Sequence, residues 1–450
     1  MKTKIFAALV ATVLPFAAQA ATVAIIDSGV DFEHEALLGK VWINPNEVAA
    51  DNLDNDGNGK IDDINGWNFA DNNAQLIDYS QQHNYTPEIE KFLDLQLAAS
   101  AGQATEGEKI WLKERLGDSD FIKKFQAFGR YAHGTHVAGI IARDNPGVKL
   151  LAINMTSTKS RVRKLKSKIL MSLAEGKDVN FIKEFVLKAG LYGLAYHQAK
   201  SFAQVGAYLA ANGVGVANGW AAMDMAQARG LVTPLLMVAA EAQPSAVLVD
   251  EYAEFFVRRV MAEEQKVIAM YPDILFVFAA GNDGTDNDEI LSAPAALRMD
   301  NVLTVGASVG NVALAPFSNY GASRVDLFAP GVGIRSSVPR DNMYLPFSGT
   351  TVSAPEVARV AAMIKDKNPA LKAQEIRDIL LGTIDRKDFL KARSYTEGVI
   401  NDERALIAAE QSLTSDVRKA IQLAKRAIAD KTPKDNLVEK YADYSFVTPL

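Results

Sequence analysis

The sequence contains no cysteine. Without thiols the chain forms no disulfide, holds no iron–sulfur cluster or thiolate zinc site, and offers no cysteine nucleophile. Any catalytic chemistry must therefore come from oxygen groups, from imidazole or from a hard metal ion.

The chain also lacks a large excess of charge of one sign, because it has 48 Lys and Arg residues and 54 Asp and Glu residues, for a net charge of −6. A balanced surface creates no field that would draw the chain to nucleic acid or to an anionic bilayer. After the first twenty residues, no apolar run is long enough to span a membrane. We therefore expect no nucleic-acid partner and no membrane span, and a protein or a small molecule as partner instead.

The first twenty residues have the layout of a secretory signal. Lys2 and Lys4 precede an apolar run, and Ala18-Gln19-Ala20 forms a small-residue cleavage site. We predict a signal peptide at 1–20 that is removed on export. An exported chain without disulfides fits a bacterial periplasm or the surrounding medium.

The mature chain alternates apolar strands with amphipathic helices, which predicts an α/β fold with a mostly parallel, doubly wound sheet and helices on both faces. The first strand ends at Asp27-Ser28-Gly29, the pattern of a buried strand that runs into a tight turn. With 48% hydrophobic residues the chain can bury a large core, and 21–413 is predicted to form one catalytic domain. Further strands are predicted at 148–153, 214–217, 274–279 and 302–305, and a long helix at 250–270.

Two stretches, at about 70–130 and 156–213, are predicted to be helical insertions outside the common sheet. In the first, Thr86 is placed to cap a helix that starts at Pro87. The second opens with a basic run at 159–168, which we interpret as a solvated surface because no aromatic residue is interleaved with it. The extension at 414–450 is predicted to form a last amphipathic helix and a polar tail.

Three short motifs, far apart along the chain, supply the parts that a hydroxyl nucleophile needs. Asp27 follows the first strand, at the edge where a doubly wound sheet places its functional residues. His133 opens the motif His-Gly-Thr-His-Val-Ala-Gly at the predicted start of a helix, and Thr351 lies in Gly-Thr-Thr-Val-Ser-Ala-Pro, a Gly-led turn into another helix. A hydroxyl needs an adjacent base, and that base needs a carboxylate that fixes its tautomer. The three parts therefore complement one another.

These motifs and their order strongly resemble the subtilisin-like serine protease family. The stretch 23–29 resembles the family's Asp motif, 133–139 its His motif, 279–284 its oxyanion Asn motif and 349–355 its Ser motif. Four motifs in this order are highly specific, and they cover the chain to about residue 406, interrupted by the two insertions. The resemblance implies a subtilisin-like fold and hydrolysis of peptide bonds through an acyl-enzyme.

The resemblance also implies a role for each matching residue. Asp27 would orient His133, His133 would act as general base, and Asn282 would donate a side-chain N–H to the developing oxyanion. The substrate would be an extended polypeptide that lies as a strand along the edges of the cleft. The implied edge residues are Asn218, Gly219, Trp220, Ala280 and Gly281.

The main departure from the family is Thr351, which stands where the family has its nucleophilic Ser. Thr keeps the hydroxyl but adds a methyl group and a stiff χ1 in a crowded site. We therefore expect a serine-type endopeptidase with reduced or absent activity, and a pseudoprotease that binds peptides or proteins is the alternative. Ser353 is no substitute, because two helical residues rotate it by roughly 200° away from Thr351.

Two other patterns compete with this interpretation. His133 and His136 have a spacing that could hold a metal ion on a helix, which is the minor alternative. The stretch 306–310 matches the nucleophile elbow of α/β-hydrolases. That fold needs a His after the nucleophile, and none follows His197.

A calcium loop is predicted at 54–65, where oxygen-bearing side chains alternate and Gly59 stands sixth. The twelfth position is Asn65 rather than Glu, so bidentate closure is lost and a metal-free loop is an alternative. We favour a structural calcium ion and no organic cofactor. The predicted ligands are Asp54, Asp56, Asn58 and Asp62.

Overall fold

The computed structural model describes 20–155, 180–219, 223–240, 243–430 and 444–450 of the chain. The predicted signal segment up to residue 19, the basic run at 159–168 and Trp220 lie outside the described residues. No helix in the described ranges is long and apolar enough to cross a membrane.

In the described part of the chain, ten strands form one sheet and two more form a separate hairpin. The four strands predicted after the first are confirmed, with ends that differ by a few residues. The strands are β1 (Thr22–Asp27), β2 (Gly66–Asn68), β3 (Lys149–Asn154), β4 (Val214–Gly219), β5 (Leu275–Ala279), β6 (Val302–Val309), β7 (Ala313–Leu314), β8 (Leu327–Pro330), β9 (Ile334–Val338), β10 (Met343–Phe347), β11 (Asp385–Arg386) and β12 (Gly398–Val399).

The sheet runs in the order β11-β12-β8-β6-β5-β4-β1-β3-β2, with β7 paired on β6. It is parallel apart from the β6–β7 and β11–β12 pairs, so the predicted α/β class with a mostly parallel sheet is confirmed. β1 lies between β3 and β4, and the strand order therefore reverses there. Such a reversal opens a crevice at the carboxyl ends of the strands, where Asp27 lies.

Helices cover both faces of the sheet. Along β1, Val23 and Ile25 belong to one buried core, whereas Ala24 and Ile26 belong to another on the opposite face. This alternation is expected of a parallel strand that is covered on both sides. The helices are α1 (Pro87–Ser100), α2 (Glu106–Gly117), α3 (Ser119–Ala142), α4 (Asn180–Ala211), α5 (Met225–Ala240), α6 (Ala246–Ala269), α7 (Thr350–Lys367), α8 (Ala373–Gly382), α9 (Asp402–Gln411) and α10 (Val417–Ala427).

The helices of the first predicted insertion begin as the sequence indicates. The Thr86 side chain caps α1 by accepting the Ile89 N–H at 3.3 Å, and Pro87 lies in the first turn. The apolar residues of α1–α3 form a separate core together with the β9–β10 hairpin. The insertion therefore packs beside the sheet and adds no strand to it.

The prediction that His133 starts a helix is wrong. The helix α3 is continuous from Ser119 to Ala142, so His133 lies in its middle. Phe121, Phe125, Phe128 and Ala132 recur every three or four positions and belong to one core. The packing face of the insertion thus continues into the His motif without a break.

The prediction that 156–213 is an insertion outside the core is wrong for the last part of this stretch. Val205, Tyr208 and Leu209 of α4 pack against the sheet in the same core as Ile26. A connection between the parallel strands β3 and β4 has to return over the sheet, and α4 makes that return.

The predicted helix after Leu413 is present as α10, but the expectation of a polar tail is wrong for 444–450. Phe446 and Leu450 pack against the core of α1–α3, and Val447 packs beside Ala307. A few apolar residues in a short, irregular stretch carry no periodicity that a sequence pattern could detect.

Candidate active site

Asp27 and His133 form a hydrogen-bonded pair at the carboxyl end of β1. The His133 Nδ1 atom lies 2.8 Å from Asp27 Oδ2 and 3.0 Å from Asp27 Oδ1, and both side chains are buried. Asp27 Oδ1 also accepts the Ser28 N–H at 2.7 Å, which holds the carboxylate in place. A carboxylate at Nδ1 favours the tautomer in which Nε2 can take up a proton.

The close approach of α3 to β1 depends on Gly134. A Cβ atom there would lie 2.1 Å from the Gly29 carbonyl oxygen and 3.2 Å from the Asp27 Cβ. Thr135 extends the contact, because its hydroxyl accepts the Asp31 N–H at 2.9 Å. The small residue beside His133 therefore allows the imidazole to reach the carboxylate.

His136 has a structural position. Its Nε2 atom lies 2.9 Å from the Ile334 oxygen and 3.1 Å from the Leu345 oxygen, and its ring stacks on Phe347 with centroids 4.3 Å apart. Burial, with a smaller contribution from His133, lowers the pKa of His136 to about 3, so this imidazole stays neutral. The second histidine of the motif thus ties the β9–β10 hairpin to α3.

Thr351 lies in the first turn of α7, which packs against α3. Val352 beside it and Ala132 beside His133 belong to the same buried core. The first N–H groups of a helix have no acceptor within the helix and carry partial positive charge. The Thr351 hydroxyl therefore lies next to groups that can hold a negatively charged oxygen.

Gly349, directly before this turn, is required by its geometry. Its φ is +151°, and a Cβ atom there would lie 2.9 Å from the Thr351 hydroxyl oxygen and 3.4 Å from Asn282 Nδ2. The Thr351 hydroxyl and the Asn282 amide nitrogen therefore border one small space beside Gly349. Ser353 Oγ donates back to the Gly349 oxygen at 3.3 Å and is buried, as its position on the helix leads one to expect.

Thr350 orients the Asn282 side chain, a role that the sequence interpretation missed. Asn282 Oδ1 accepts the Thr350 N–H at 2.8 Å and the Thr350 hydroxyl at 2.9 Å. The Thr350 oxygen in turn accepts the Gly281 N–H at 3.1 Å. Because the amide oxygen is bound to Thr350, the amide nitrogen is the group left to face the Thr351 turn. The Thr-Thr pair after Gly349 was the available sequence signal.

The predicted edge residues fall into two groups. Asn218 and Gly219 end β4, beside β1, and the buried Asn218 Oδ1 has no hydrogen-bond partner among the described residues. Ala280 and Gly281 follow β5, and their main-chain groups are engaged within the protein. The Ala280 oxygen accepts from two Asn side chains, and the Gly281 oxygen accepts a main-chain N–H. Ala280 and Gly281 thus brace the site from within.

The predicted calcium loop brings together a different set of carboxylates from the one expected. Oxygen atoms of Glu47, Asp54 and Asp56 all lie within 4.8 Å of one another. Glu47 lies outside the loop motif, and its Oε1 atom accepts the Asn55 and Asp56 N–H groups at 2.8 and 3.1 Å. Only the folded chain brings it to the loop.

The other two predicted ligands, Asn58 and Asp62, make hydrogen bonds near this loop. The Asn58 amide nitrogen donates to Asp56 at 3.0 Å and to Asp63 at 3.1 Å. Asp62 Oδ2 accepts the Asn52 N–H at 3.2 Å, and Asp62 is not part of the three-carboxylate group.

The chain matches the subtilase family of peptidases over residues 18–399, far more than half of its length. It belongs to the subtilase family. The subtilisin-like fold and the membership in a family of serine proteases, both predicted from the four motifs, are thereby confirmed.

The curated relatives of this subtilase match it over a limited region. It is 40% identical over 132 residues to alkaline elastase YaB from Bacillus sp. (strain YaB), covering 29% of this chain and 32% of the relative. It is 37% identical over 132 residues to subtilisin BL from Lederbergia lenta, covering 29% and 46%. The match thus spans less than half of either relative. Among solved structures, a cold adapted subtilisin-like serine proteinase aligns at 20% identity with a TM-score of 0.44, covering 86% of this chain and 90% of that chain.

Proposed function

We propose that this subtilase hydrolyses peptide bonds in extended polypeptides through an acyl-enzyme on Thr351, at a rate lowered by the Thr351 methyl group. The observation that carries the proposal is the Asp27–His133 pair beside a turn where the Thr351 hydroxyl and the Asn282 amide border one space. Membership in a serine protease family supports the polypeptide substrate.

In the proposed reaction the Thr351 oxygen attacks the substrate carbonyl carbon while His133 Nε2 takes the hydroxyl proton. Asp27 stabilises the imidazolium that forms. Asn282 Nδ2 and the Thr351 main-chain N–H hold the negative oxygen of the intermediate. His133 then protonates the leaving amine, and water releases the acyl group by the same steps in reverse.

The Thr351 methyl group lowers the rate because the turn has little room. Val352, the next residue, is fully buried, and the Thr351 oxygen already shares the space beside Gly349 with Asn282. A β-branched side chain has few χ1 rotamers, so attack depends on one of them being productive. Removal of the methyl group should relieve this restriction.

The test is digestion of casein and labelling by a fluorophosphonate probe. Thr351→Ser should raise both by orders of magnitude, and Thr351→Ala should define the floor, since loss of the nucleophile lowers turnover about a million-fold in a subtilisin itself. His133→Ala added to Thr351→Ser should remove the gain. A folded Thr351→Ser protein that stays inert although peptides can enter its cleft would contradict the proposal and favour the pseudoprotease. An unmodified chain with ordinary protease rates would contradict the argument about the methyl group.

We also propose that the chain is exported from a bacterial cell to the periplasm or the medium after removal of 1–20. Support comes from Ala21, whose N–H donates to Asp366 Oδ1 at 2.6 Å. Cleavage after Ala20 would turn this amide into an ammonium group and the contact into a charge-assisted hydrogen bond. Ala21 is buried, so the new terminus would be held against Asp366 at the start of β1.

A structural calcium ion at Glu47, Asp54 and Asp56 is part of the proposal. Carboxylates this close repel one another unless a cation offsets their charge, and calcium prefers such oxygen ligands. Glu47 Oε2 is buried without a hydrogen-bond partner among the described residues, which suits a metal ligand. The ion would brace the loop at a distance from the chemistry, and no organic cofactor is proposed.

A further inference from the structure

Residues 444–450, called the cleft segment below, lie against the candidate active site. The Thr351 hydroxyl donates to the Leu450 main-chain oxygen at 2.7 Å, and the Leu450 N–H donates to the Ser348 oxygen at 3.0 Å. A Cβ atom at Gly349 would also lie 3.1 Å from the Leu450 oxygen. The Leu450 backbone therefore runs along the turn that carries Thr351.

The first helical insertion holds the other side of the cleft segment. Gln96 Nε2 on α1 donates to the Phe446 oxygen at 2.5 Å, and the side chains of Phe446 and Leu450 pack on the core of α1–α3. A Cβ atom at Gly129 would lie 2.5 Å from Leu450 Cδ2. Gly129 lies one turn before His133 on α3, and its missing side chain leaves the space that Leu450 fills.

We propose that the cleft segment is a built-in inhibitor that occupies the cleft as a peptide and must leave before an external polypeptide can reach Thr351. This inference rests on the proposed function. The occupant belongs to the same chemical class as the substrate, a short peptide held by main-chain hydrogen bonds and apolar pockets. The helical insertion supplies the wall that binds it.

The geometry at Thr351 is that of an inhibitor rather than of a reacting substrate. During attack the Thr351 hydroxyl gives its proton to the base, and its oxygen faces the carbonyl carbon. In the structure the hydroxyl instead donates to the Leu450 oxygen. The contact thus uses the proton that His133 has to receive.

An attached segment competes strongly because its local concentration is high. The apparent affinity for an external ligand falls by the fraction of molecules in which the cleft is open. Weakening the segment should therefore raise the rate of every reaction in the cleft by one common factor. A change in the chemistry of Thr351 would not have this effect on binding.

The first test measures fluorophosphonate labelling in the Thr351→Ser background of the full chain. Leu450→Lys should raise the labelling rate at least about tenfold, because a charged side chain does not fit the apolar wall beside Gly129. Leu413→Lys is the matched control, since Leu413 is 58% exposed and lies after α9. Measurable but equal labelling of the Leu450→Lys and Leu413→Lys chains would overturn the inference.

The second test needs no catalysis. In fluorescence polarisation, a fluorescent peptide Tyr-Ser-Phe-Val-Thr-Pro-Leu should bind the full-length Leu450→Lys chain. It should bind the unmodified chain at least about tenfold more weakly, because the cleft segment competes with it. Adding Gly129→Leu should abolish binding, because the new side chain would take the place of the peptide leucine. Adding Gly193→Leu should not, since Gly193 lies in α4 with open space around it. Circular dichroism confirms that each variant is folded.

The two tests separate this inference from the proposed function. If the chain that carries both Thr351→Ser and Leu450→Lys stays inert, but the peptide binds the Leu450→Lys chain and not its Gly129→Leu derivative, the protease proposal fails and the cleft segment remains a ligand of the cleft. If Thr351→Ser digests casein and the peptide does not bind the Leu450→Lys chain, the protease proposal stands and the inhibitor is refuted.

Discussion

Asn282 is held in one orientation by Thr350, whose N–H and hydroxyl both donate to Asn282 Oδ1, at 2.8 and 2.9 Å. A side-chain amide can present either its oxygen or its nitrogen to a neighbour. With the oxygen bound, only the nitrogen can serve an oxyanion next to Thr351. Thr350 is therefore a positioning residue that acts through Asn282.

Thr350→Val should lower kcat roughly tenfold and leave KM nearly unchanged in the Thr351→Ser background, because Asn282 would lose one of the two hydrogen bonds that orient it while the shape of the site is kept. Thr350→Ser should restore most of the rate, since it keeps the hydroxyl. Steady-state kinetics on a peptide substrate provide the measurement. Ser353→Ala is the control, because that hydroxyl donates to Gly349 and does not touch Asn282. A Thr350→Val protein that changes KM alone would contradict the assignment.

Calcium should raise the melting temperature, by an amount set by how far the free ion exceeds its dissociation constant. A chelator should reverse the rise. Asp54→Asn and Asp56→Asn should each weaken the response, because they remove charge from the three-carboxylate group. Asp120→Asn, at an exposed carboxylate on α3, should leave the response intact. Melting curves that are identical with calcium and with chelator would exclude a stabilising ion.

In a chain cleaved after Ala20, Asp366→Asn should lower the free energy of unfolding by about 1–2 kcal/mol, because it removes a charge-assisted hydrogen bond to the new amino terminus at Ala21. In a chain that keeps residues 1–20, Asp366→Asn should lower the stability by less, since Ala21 then offers only a neutral amide. Thermal unfolding of both forms, with the terminus located by mass spectrometry, measures the difference. Asp378→Asn is the control, as an exposed carboxylate on α8. A terminus elsewhere than Ala21 would refute the cleavage site.

Glu264→Gln should stabilise the protein at high pH and much less at pH 5. Burial raises the pKa of Glu264 to about 8, although Gln198 donates to one oxygen at 3.2 Å, and the other oxygen has no hydrogen-bond partner in the described chain. Between about pH 4.5 and 8 the unfolded chain releases a proton that the folded chain keeps, so Glu264 lowers stability as pH rises through this window. A single titrating group can lower the free energy of unfolding by at most about 1.4 kcal/mol for each pH unit in this window.

Urea unfolding of the Glu264→Gln protein at several pH values checks this sign. Glu254→Gln, on the same helix but exposed and paired with Arg258, is the control and should show no such pH-dependent gain. A gain that is the same at pH 5 and pH 8.5 would mean that the carboxyl group is not protonated in the folded protein.

Much of the fold and of the site could be predicted because it is written in local patterns. Apolar runs predicted the central strands, Thr86 and Pro87 predicted the start of α1, and four motifs in order predicted the family. Asp27 and His133 could be paired in advance because each lies in a motif whose chemistry needs the other. Such signals depend only on residues close together along the chain.

Other features depend on the path of the chain and were decided only by the tertiary structure. Glu47 joins Asp54 and Asp56 through main-chain hydrogen bonds, and no motif spacing includes it. His133 lies inside a helix because the packing face of an insertion runs into its motif. Leu450 contacts Thr351 across 99 residues of sequence, and its side chain packs into the space beside Gly129 on α3. A contact between distant residues forms only when the elements that carry them pack together, and the local sequence pattern does not contain that information.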